Sequence, residues 1–429
     1  KCISPKQINM MIASKNNGWG HAIYVQLPRL KNPVPLFVLF RVLNVVTDKD
    51  ICEKILLDLN NDNCKASLEF LRASVYDANN VMTQQDATDV IVNAVMYTPI
   101  NMDKETGRQK KLEFALDVIG NDMFPHCETA KEKMYFLGYM AHKLIKAKFG
   151  INDQDDRDSY ENKRIDLTGP LLNNLFRNYF NKLVKDMQKQ IHREITTGSW
   201  RSTYDYYSIL NTTNIYKIVK STTIENGLKR ALSTGDFGIK QISSNKVGVA
   251  QVLSRLTYAS SLSHSRRIST PIDKSGKLVP PRMLHNTSWG FLCPAETPEG
   301  QSVGVVKNLS YMTHVTISSH TDPILHYVKN KDLIDLNSTV KHDVLTENVK
   351  VFVNGSWLGV VENAYEYYMY LKSLKHSGII NVYTSIVFDV KNMEIRVCND
   401  AGRLTRPLLK VKKNESYLSD AVIEDIRKK

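Results

Sequence analysis

The stretch from Arg282 to Gln301 sets the strongest limit on how this chain can fold. Arg282-Met283-Leu284-His285-Asn286-Thr287-Ser288-Trp289-Gly290 runs almost directly into Cys293-Pro294-Ala295-Glu296-Thr297-Pro298-Glu299-Gly300-Gln301. A guanidinium, an imidazole, an indole, two carboxylates and two prolines fall within twenty residues, bounded by glycines that permit tight turns or close backbone approach. A plain core segment does not read this way, so function is sought here first.

The residues before it reinforce that reading. Pro271, Gly276 and the Pro280-Pro281 pair define an exposed loop with a stiff exit, suited to projecting a tip into a cleft. Asp273 to Lys277 resembles a phosphate loop only superficially, because that pattern needs Gly where Pro271 stands and Ser or Thr where Leu278 stands. Between Arg255 and Arg282 there are six cations and one acid, a net charge of +5. Such an excess either faces phosphates, releasing counterions on binding, or forms a solvated basic face. Arg282 follows the stiff exit, so it reads as a phosphate or template-strand contact, or as the partner of Glu296 or Glu299; a guanidinium fork suits either acceptor. Thr297-Pro298-Glu299-Gly300 has the chemistry of a type I turn, with Glu299 at its corner. Gln301 reads as a base or ribose contact or as an ordinary surface residue, and Trp289 as core packing or a stacking surface. His264 and His285 lack metal-ligand spacing and read as structural histidines.

Elsewhere the pattern is mixed α+β and multidomain. Thr129 and Glu132 open a helix that places Met134, Leu137, Ala141, Leu144 and Ala147 on one face and stops at Gly150. Pro170 opens a second, longer helix with a stripe from Leu172 through Leu175, Tyr179, Leu183, Met187 and Ile191 to Ile195. Thr203 to Ser221 reads as a surface connection. From Ile317 onward Val349–Val353, Ile380–Val390 and Glu394–Val397 read as strands, with a helical interlude at Tyr365–Leu374. Gly235-Asp236-Phe237-Gly238 invites a kinase reading, which fails for want of a glycine-rich nucleotide loop and a catalytic His-Arg-Asp.

The stretch that opens this section resembles the fork of the second-largest subunit of multisubunit DNA-dependent RNA polymerases, with its His-x-Thr-x-Trp/Tyr-Gly run and Cys-Pro-x-Glu-Thr-Pro-Glu-Gly. Ser263-His264-Ser265-Arg266-Arg267 resembles another element of that family. So do Asp155-Asp156-Arg157-Asp158 with Lys163-Arg164 and Leu167-Thr168-Gly169-Pro170. Val353-Asn354-Gly355 and Asp400-Ala401-Gly402-Arg403 with Arg406-Pro407-Leu408 look like its external domains. Lys163 and Trp289 place the chain with the eukaryotic, archaeal and large-DNA-virus branch.

The resemblance implies a β-subunit-like architecture: 1–165 lobe, 166–232 part of the protrusion, 233–316 fork, 317–429 external domains. It implies a non-catalytic contribution to RNA synthesis by a DNA-directed RNA polymerase, a nucleotidyltransferase, with Arg266, Arg267, Lys277, Arg282 and Gln301 facing nucleic acid. Glu299 and Arg282 would support the active centre, with Glu299 ordering basic side chains. Partners would be the largest and smaller polymerase subunits, DNA template, nascent RNA and nucleoside triphosphates. Mg2+ would be held by the largest subunit and none by this chain, where Asp155 to Asp158 reads as an ion-pair network with Lys163 and Arg164. A nuclear location, or a viral factory or virion, follows. The alternatives are a non-catalytic nucleic-acid-binding or assembly module and an RNA-templated relative.

Composition agrees with these classes. The 429 residues, 42% hydrophobic, suffice for two to four domains, and a formal charge of +13 attracts polyanions. Six cysteines without a Cys-x-x-Cys pair argue against a disulfide framework or a zinc site and read as reduced, buried thiols. The longest apolar run, Val34 to Phe40, is broken by Arg41, far short of the ~20 residues that span a bilayer, so the chain reads as soluble and intracellular.

Overall fold

The computed structural model describes residues 2–3, 7–14, 20–59, 64–98, 103–198, 212–238, 248–272, 274–276, 278–338, 342–412 and 414–428. Its residues fall into two units, one built from 1–155 and 319–400, the other from 156–318 and 401–429.

The first unit begins with an antiparallel sheet in the order β1 (Cys2–Ile3), β2 (Gln7–Ser14), β3 (His21–Gln26), β4 (Val34–Pro35). The apolar run that follows is α1 (Leu36–Val42), buried on every side, as a helix in the middle of a core must be. Arg41 shares that burial at 1% exposure. It is tolerated because its guanidinium donates to the carbonyls of Ala78 (2.5 Å) and Val81 and pairs with Asp48 at 2.5 Å. Around α1 lie α2 (Asp48–Leu56), α3 (Lys65–Asp77), α4 (Gln84–Ala94), α5 (Lys104–Asp117) and α6 (Ala130–Lys148). Thr129 caps α6 by accepting from the Glu132 N–H at 3.1 Å, while the Glu132 carboxylate reaches the N–H of Glu128 rather than that of its cap. Met134, Leu137 and Ala141 are buried as the periodicity requires, with Ile145 added to the same face. α6 lies so close to α2 that a Cβ on Gly138 would stand 2.2 Å from the Lys54 carbonyl oxygen.

In the second unit, α7 (Thr168–Thr196) starts two residues before Pro170, which therefore sits in its first turn rather than at its first position. Leu175 and Leu183 are buried, and the core formed by Leu175, Ala231 and Phe237 draws in Leu171, Tyr179 and Leu228. Leu172 belongs to a different face: with Phe176, Phe180 and Val184 it forms an exposed apolar row four residues apart, which the sequence stripe did not separate. Thr203 to Asn211 of the expected surface connection lies outside the described residues, and its continuation is helical as α8 (Thr212–Ile218). Next come α9 (Thr222–Thr234), α10 (Tyr258–Ser265), the paired strands β5 (Arg267–Ser269) and β6 (Val306–Asn308), and β7 (His314–Val315).

The chain then returns to the first unit as α11 (Asp322–Lys329), β8 (Ile334–Asp335), α12 (His342–Glu347), β9 (Val349–Val353), β10 (Ser356–Val361), α13 (Ala364–His376), β11 (Ser385–Asp389) and β12 (Glu394–Cys398). The strands form one sheet, β11-β12-β9-β10-β8, with β12 parallel to β9 and the other pairs antiparallel. Phe352, Trp357 and Val360 from this sheet belong to the same core as α1 to α6. Tyr135 and Tyr139 of α6 pack on Trp357 at 5.9 and 6.0 Å between ring centroids, and the Tyr139 hydroxyl donates to the Glu394 carboxylate at 2.5 Å. Burial and that carboxylate together push the Tyr139 phenol far up, so it stays a donor. Finally β13 (Leu404–Thr405) pairs with β7 in the second unit. No helix among the described residues is long and apolar enough to cross a membrane. Cys127 is buried, whereas Cys52, Cys64, Cys293 and Cys398 are half-buried, a correction to the expectation of buried thiols.

Two consequences can be measured. Gly138→Ala should destabilise the first unit by about 1–3 kcal/mol through overpacking, outweighing the ~1 kcal/mol that Ala gains in helix propensity. Urea titration showing an unchanged or raised midpoint would contradict the close α2–α6 approach. His142 is an acid-sensitive group: burial, then Lys146 and Lys350, lower its pKa from 6.5 to about 4. A depressed histidine favours the folded state only while neutral, so its contribution is complete above ~6.5 and is lost as pH falls toward about 4. Melting temperatures between pH 7.5 and 4.5 should therefore fall less in His142→Gln than in the unaltered chain.

Candidate nucleic-acid interface

Thr257 accepts from the N–H of Ser260 at 3.1 Å, and the Ser260 hydroxyl accepts from the Thr257 N–H at 3.0 Å, a reciprocal cap that fixes the start of α10. At its far end Arg266 caps the helix and Arg267 begins β5, so two adjacent cations leave in different directions. The Arg266 guanidinium turns inward and donates to the carbonyls of Ser310 (2.6 Å), Thr313 (3.1 Å) and Tyr311 (3.2 Å). Arg267 is exposed, and none of the described residues engages its guanidinium. Beside it Ser254, Ser260, Ser263, His264 and Glu296 line a shallow cavity of about 450 Å3. Ser263 donates to the Glu296 carboxylate. His264 accepts the Ser254 N–H at Nδ1 (3.1 Å) and has Gln251 at Nε2 (3.0 Å), which leaves neither nitrogen for proton transfer.

The loop that carries Arg282 is closed on itself by that residue. Its Nη1 donates to the carbonyls of Gln301 (2.6 Å) and Val303 (2.9 Å), its Nη2 to those of Lys274 (2.7 Å) and Gly276 (3.2 Å). The guanidinium thus ties the loop tip to the segment after Glu299, where sequence reasoning expected a phosphate or one of two glutamates. Gly304 makes the approach possible: it sits at φ +70, and a Cβ there would be 2.2 Å from the Arg282 carbonyl oxygen. Lys277 and Asp273 lie outside the described residues.

Glu299 and Gln301 are both exposed. Glu299 has φ −73 and ψ 166, extended values that exclude the type I turn expected at Thr297 to Gly300; the tight turn is displaced to Gly300–Ser302. Thr297 is tied instead to the segment that follows, its hydroxyl donating to the Val306 carbonyl and accepting the Gly304 N–H, both at 2.9 Å. Trp289, expected in the core or as a stacking surface, is 81% exposed and so is not core.

His285 is held on three sides. Its Nδ1 accepts the Thr287 N–H at 3.1 Å and faces that residue's hydroxyl at 2.7 Å, while Nε2 lies 2.6 Å from Asp156. Bonds from the Asp158 N–H and from His285 keep the Asp156 carboxyl below its ordinary range. Lys163 pairs with Asp158 at 3.4 Å, and Arg164 donates to the carbonyls of Glu161 and Lys163. Lys307, lowered in pKa by burial, donates to the Tyr160 hydroxyl (2.8 Å) and the Pro281 carbonyl (3.0 Å). Among the described residues no group of three His, Cys, Asp or Glu is arranged to hold a metal ion.

Taken as chemistry, these residues hold cationic side chains on backbone carbonyls, with the exposed carboxylate of Glu299 nearby in sequence. A guanidinium bonded to neutral carbonyls keeps its full charge, so Arg266 and Arg282 still contribute to the field around Arg267. Sequence reasoning missed these clamps because backbone acceptors carry no residue-type signature; proline and glycine at Pro271, Gly276, Pro280 and Pro281 are the only trace of a loop turned to expose its carbonyls.

Three consecutive parts of the chain match descriptions from one family: RNA polymerase Rpb2, domain 2, over residues 6–166; domain 3 over 251–315; and domain 4 over 351–412. The DNA-directed RNA polymerase II subunit RPB2 of Schizosaccharomyces pombe is 38% identical over 96% of this chain and 33% of that protein. The RNA polymerase II subunit 2 of Arabidopsis thaliana is 36% identical over 94% of this chain and 33% of its own length. The DNA-directed RNA polymerase subunit 2 of Acanthamoeba polyphaga mimivirus is 32% identical over 95% and 34%. The chain spans about a third of the length of these curated relatives. With three domains in register and relatives that align along nearly all of it, the chain belongs to the RNA polymerase Rpb2 family, that of the second-largest subunits.

Proposed function

We propose that this chain acts as part of the second-largest subunit of a DNA-directed RNA polymerase, forming one wall of the DNA cleft and the fork beside the active centre. In this reading 1–165 is the lobe, 166–232 part of the protrusion, 233–316 the fork and 317–429 the external domains. The observation that carries it is that Arg267 stands exposed and unengaged by described residues, with Arg266 and Arg282 bonded to neutral carbonyls, in the segment that matches domain 3 of the family. Partners are the largest subunit, the smaller subunits, template DNA, nascent RNA and nucleoside triphosphates, in the nucleus or, for a viral chain, in the viral factory or virion.

The division of labour follows from the bonds. Arg267, exposed and unengaged by described residues, contacts a phosphate. Arg266 and Arg282 position: they hold the α10 exit and the loop tip, and add charge at a distance. Lys277, expected from the sequence to face nucleic acid, and the exposed Gln301 complete the nucleic-acid contacts, and Glu299 orders neighbouring cations. Nucleotidyl transfer draws on metal ions that neutralise charge developing on the transferred phosphoryl group. In this reading Mg2+ is held by the largest subunit, and this chain's part is to place the strands.

Two substitutions in the reconstituted polymerase separate contact from positioning. Arg267→Ala should weaken binding to a DNA–RNA scaffold and reduce the salt slope of log K by about 0.7–0.9, one phosphate's worth, while the loop keeps its shape. Arg282→Ala should slow elongation, and Arg282→Lys should not restore it, because one ammonium cannot span carbonyls on both sides of the loop. Unchanged elongation in Arg282→Ala, or an unchanged salt slope in Arg267→Ala, would remove the corresponding role.

A further inference from the structure

β11 is the outer strand of the five-stranded sheet. It pairs with β12 through all five residues without a register break, and among the described residues no strand lies on its other side. Such a row of unpaired N–H and C=O groups templates another chain, and folded proteins protect it with proline, lysine, a bulge or extreme shortness. Ser385-Ile386-Val387-Phe388-Asp389 has none of these, and its one charge is committed to Asn392 at 2.7 Å and Arg396 at 3.1 Å. α13 covers one face only, with Tyr368 against Phe388 at 6.1 Å between ring centroids. On the other face Val387 is 50% exposed, and Val382 and Tyr383, just before the strand, are exposed as well.

Ahead of Asp389, which Asn392 and Arg396 engage, the charge leading into this edge has one sign. From Tyr367 through Phe388 the chain contains no Asp or Glu, but it contains Lys372, Lys375 and His376. The Lys372 ammonium lies 4.7 Å from the centre of the Tyr368 ring, the same ring that packs on Phe388, so a cation stands beside the open strand.

We propose that β11 is a docking edge that accepts an extended acidic segment of a partner protein as a sixth strand. Backbone pairing holds the segment, an apolar residue of it covers Val387, and its carboxylates face Lys372 and the basic end of α13. At ~3.4 Å per residue the five-residue edge accommodates a segment of about five to seven residues. The proposal concerns the first unit alone and does not depend on the polymerase reading.

The test uses the full 429-residue chain and a fluorescein-labelled seven-residue peptide of alternating Val and Glu. Anisotropy should report saturable binding that weakens with salt, and amide exchange across 385–389 should slow on saturation. The same peptide with alternate amides N-methylated, unable to complete the ladder, should not bind. Val387→Glu, at an exposed position that leaves the fold intact, should weaken binding about fivefold by placing like charges across the pair. Unaltered exchange at 385–389, or equal binding of the methylated peptide, overturns the proposal. So does concentration-dependent self-association that Val387→Glu abolishes, for then the edge pairs with a second copy.

Discussion

Arg266 and Arg282 each place a guanidinium among the backbone carbonyls of turns, and the segment from α10 to β7 depends on those bonds for its shape. Few apolar side chains are buried there: Leu292, Val305 and Val306, against exposed Tyr258, Leu262, Leu284, Trp289 and Tyr311. With so little area removed from water, the hydrophobic term that organises the first unit is weak here. Hydrogen bonds from a charged donor are stronger than neutral ones, and here six guanidinium N–H groups on two residues reach seven carbonyls, supplying order that so small a core does not. The same choice serves function. A carboxylate partner would hold the loop as firmly but would cancel the charge that attracts a polyanion, whereas carbonyls leave it intact.

The first unit is stabilised differently. Its core joins helices from the start of the chain to strands near its end, and the joint is aromatic: Tyr135 and Tyr139 on Trp357, Phe352 beside them, and the Tyr139 hydroxyl on the buried Glu394. Arg396 pairs with the same carboxylate at 2.7 Å, so its charge is compensated where it is desolvated. Lys350, on the neighbouring strand, is half-buried without a carboxylate at bonding distance among the described residues and lies 5.9 Å from the Trp357 ring, and desolvation lowers its pKa. The contrast between the units is one of means: area and paired charge in one, carbonyl clamps in the other.

Much of this was legible in the sequence. The face of α6 and its Thr129 cap, the core-facing residues of α7 and the strand Val349–Val353 follow from periodicity and end chemistry, which are local. What the sequence hid is what depends on distant backbone. Ile380–Val390 reads as one long strand, yet pairing with β12 starts only at Ser385 because Asn381 closes a turn with Thr384 first. Leu172 fits a core stripe by spacing but falls on the outer face of a helix apolar on two sides. The acceptors of Arg282 are carbonyls, which every residue possesses, and the Thr297 hydroxyl bonds to residues seven and nine positions on. Residue types mark a site; they do not say which backbone atoms converge on it.

The bond between Tyr139 and Glu394 spans 255 residues of chain. At roughly 5–20 residues per second of synthesis, α6 leaves the ribosome about 10–50 s before the strands that cover its tyrosines exist. Through that interval the aromatic flank of α6 is bare, and the residues between must be made and kept from misassociating before the unit can close. Any chaperone that recognises exposed aromatic surface on nascent chains therefore has a defined interval in which the flank of α6 is its target.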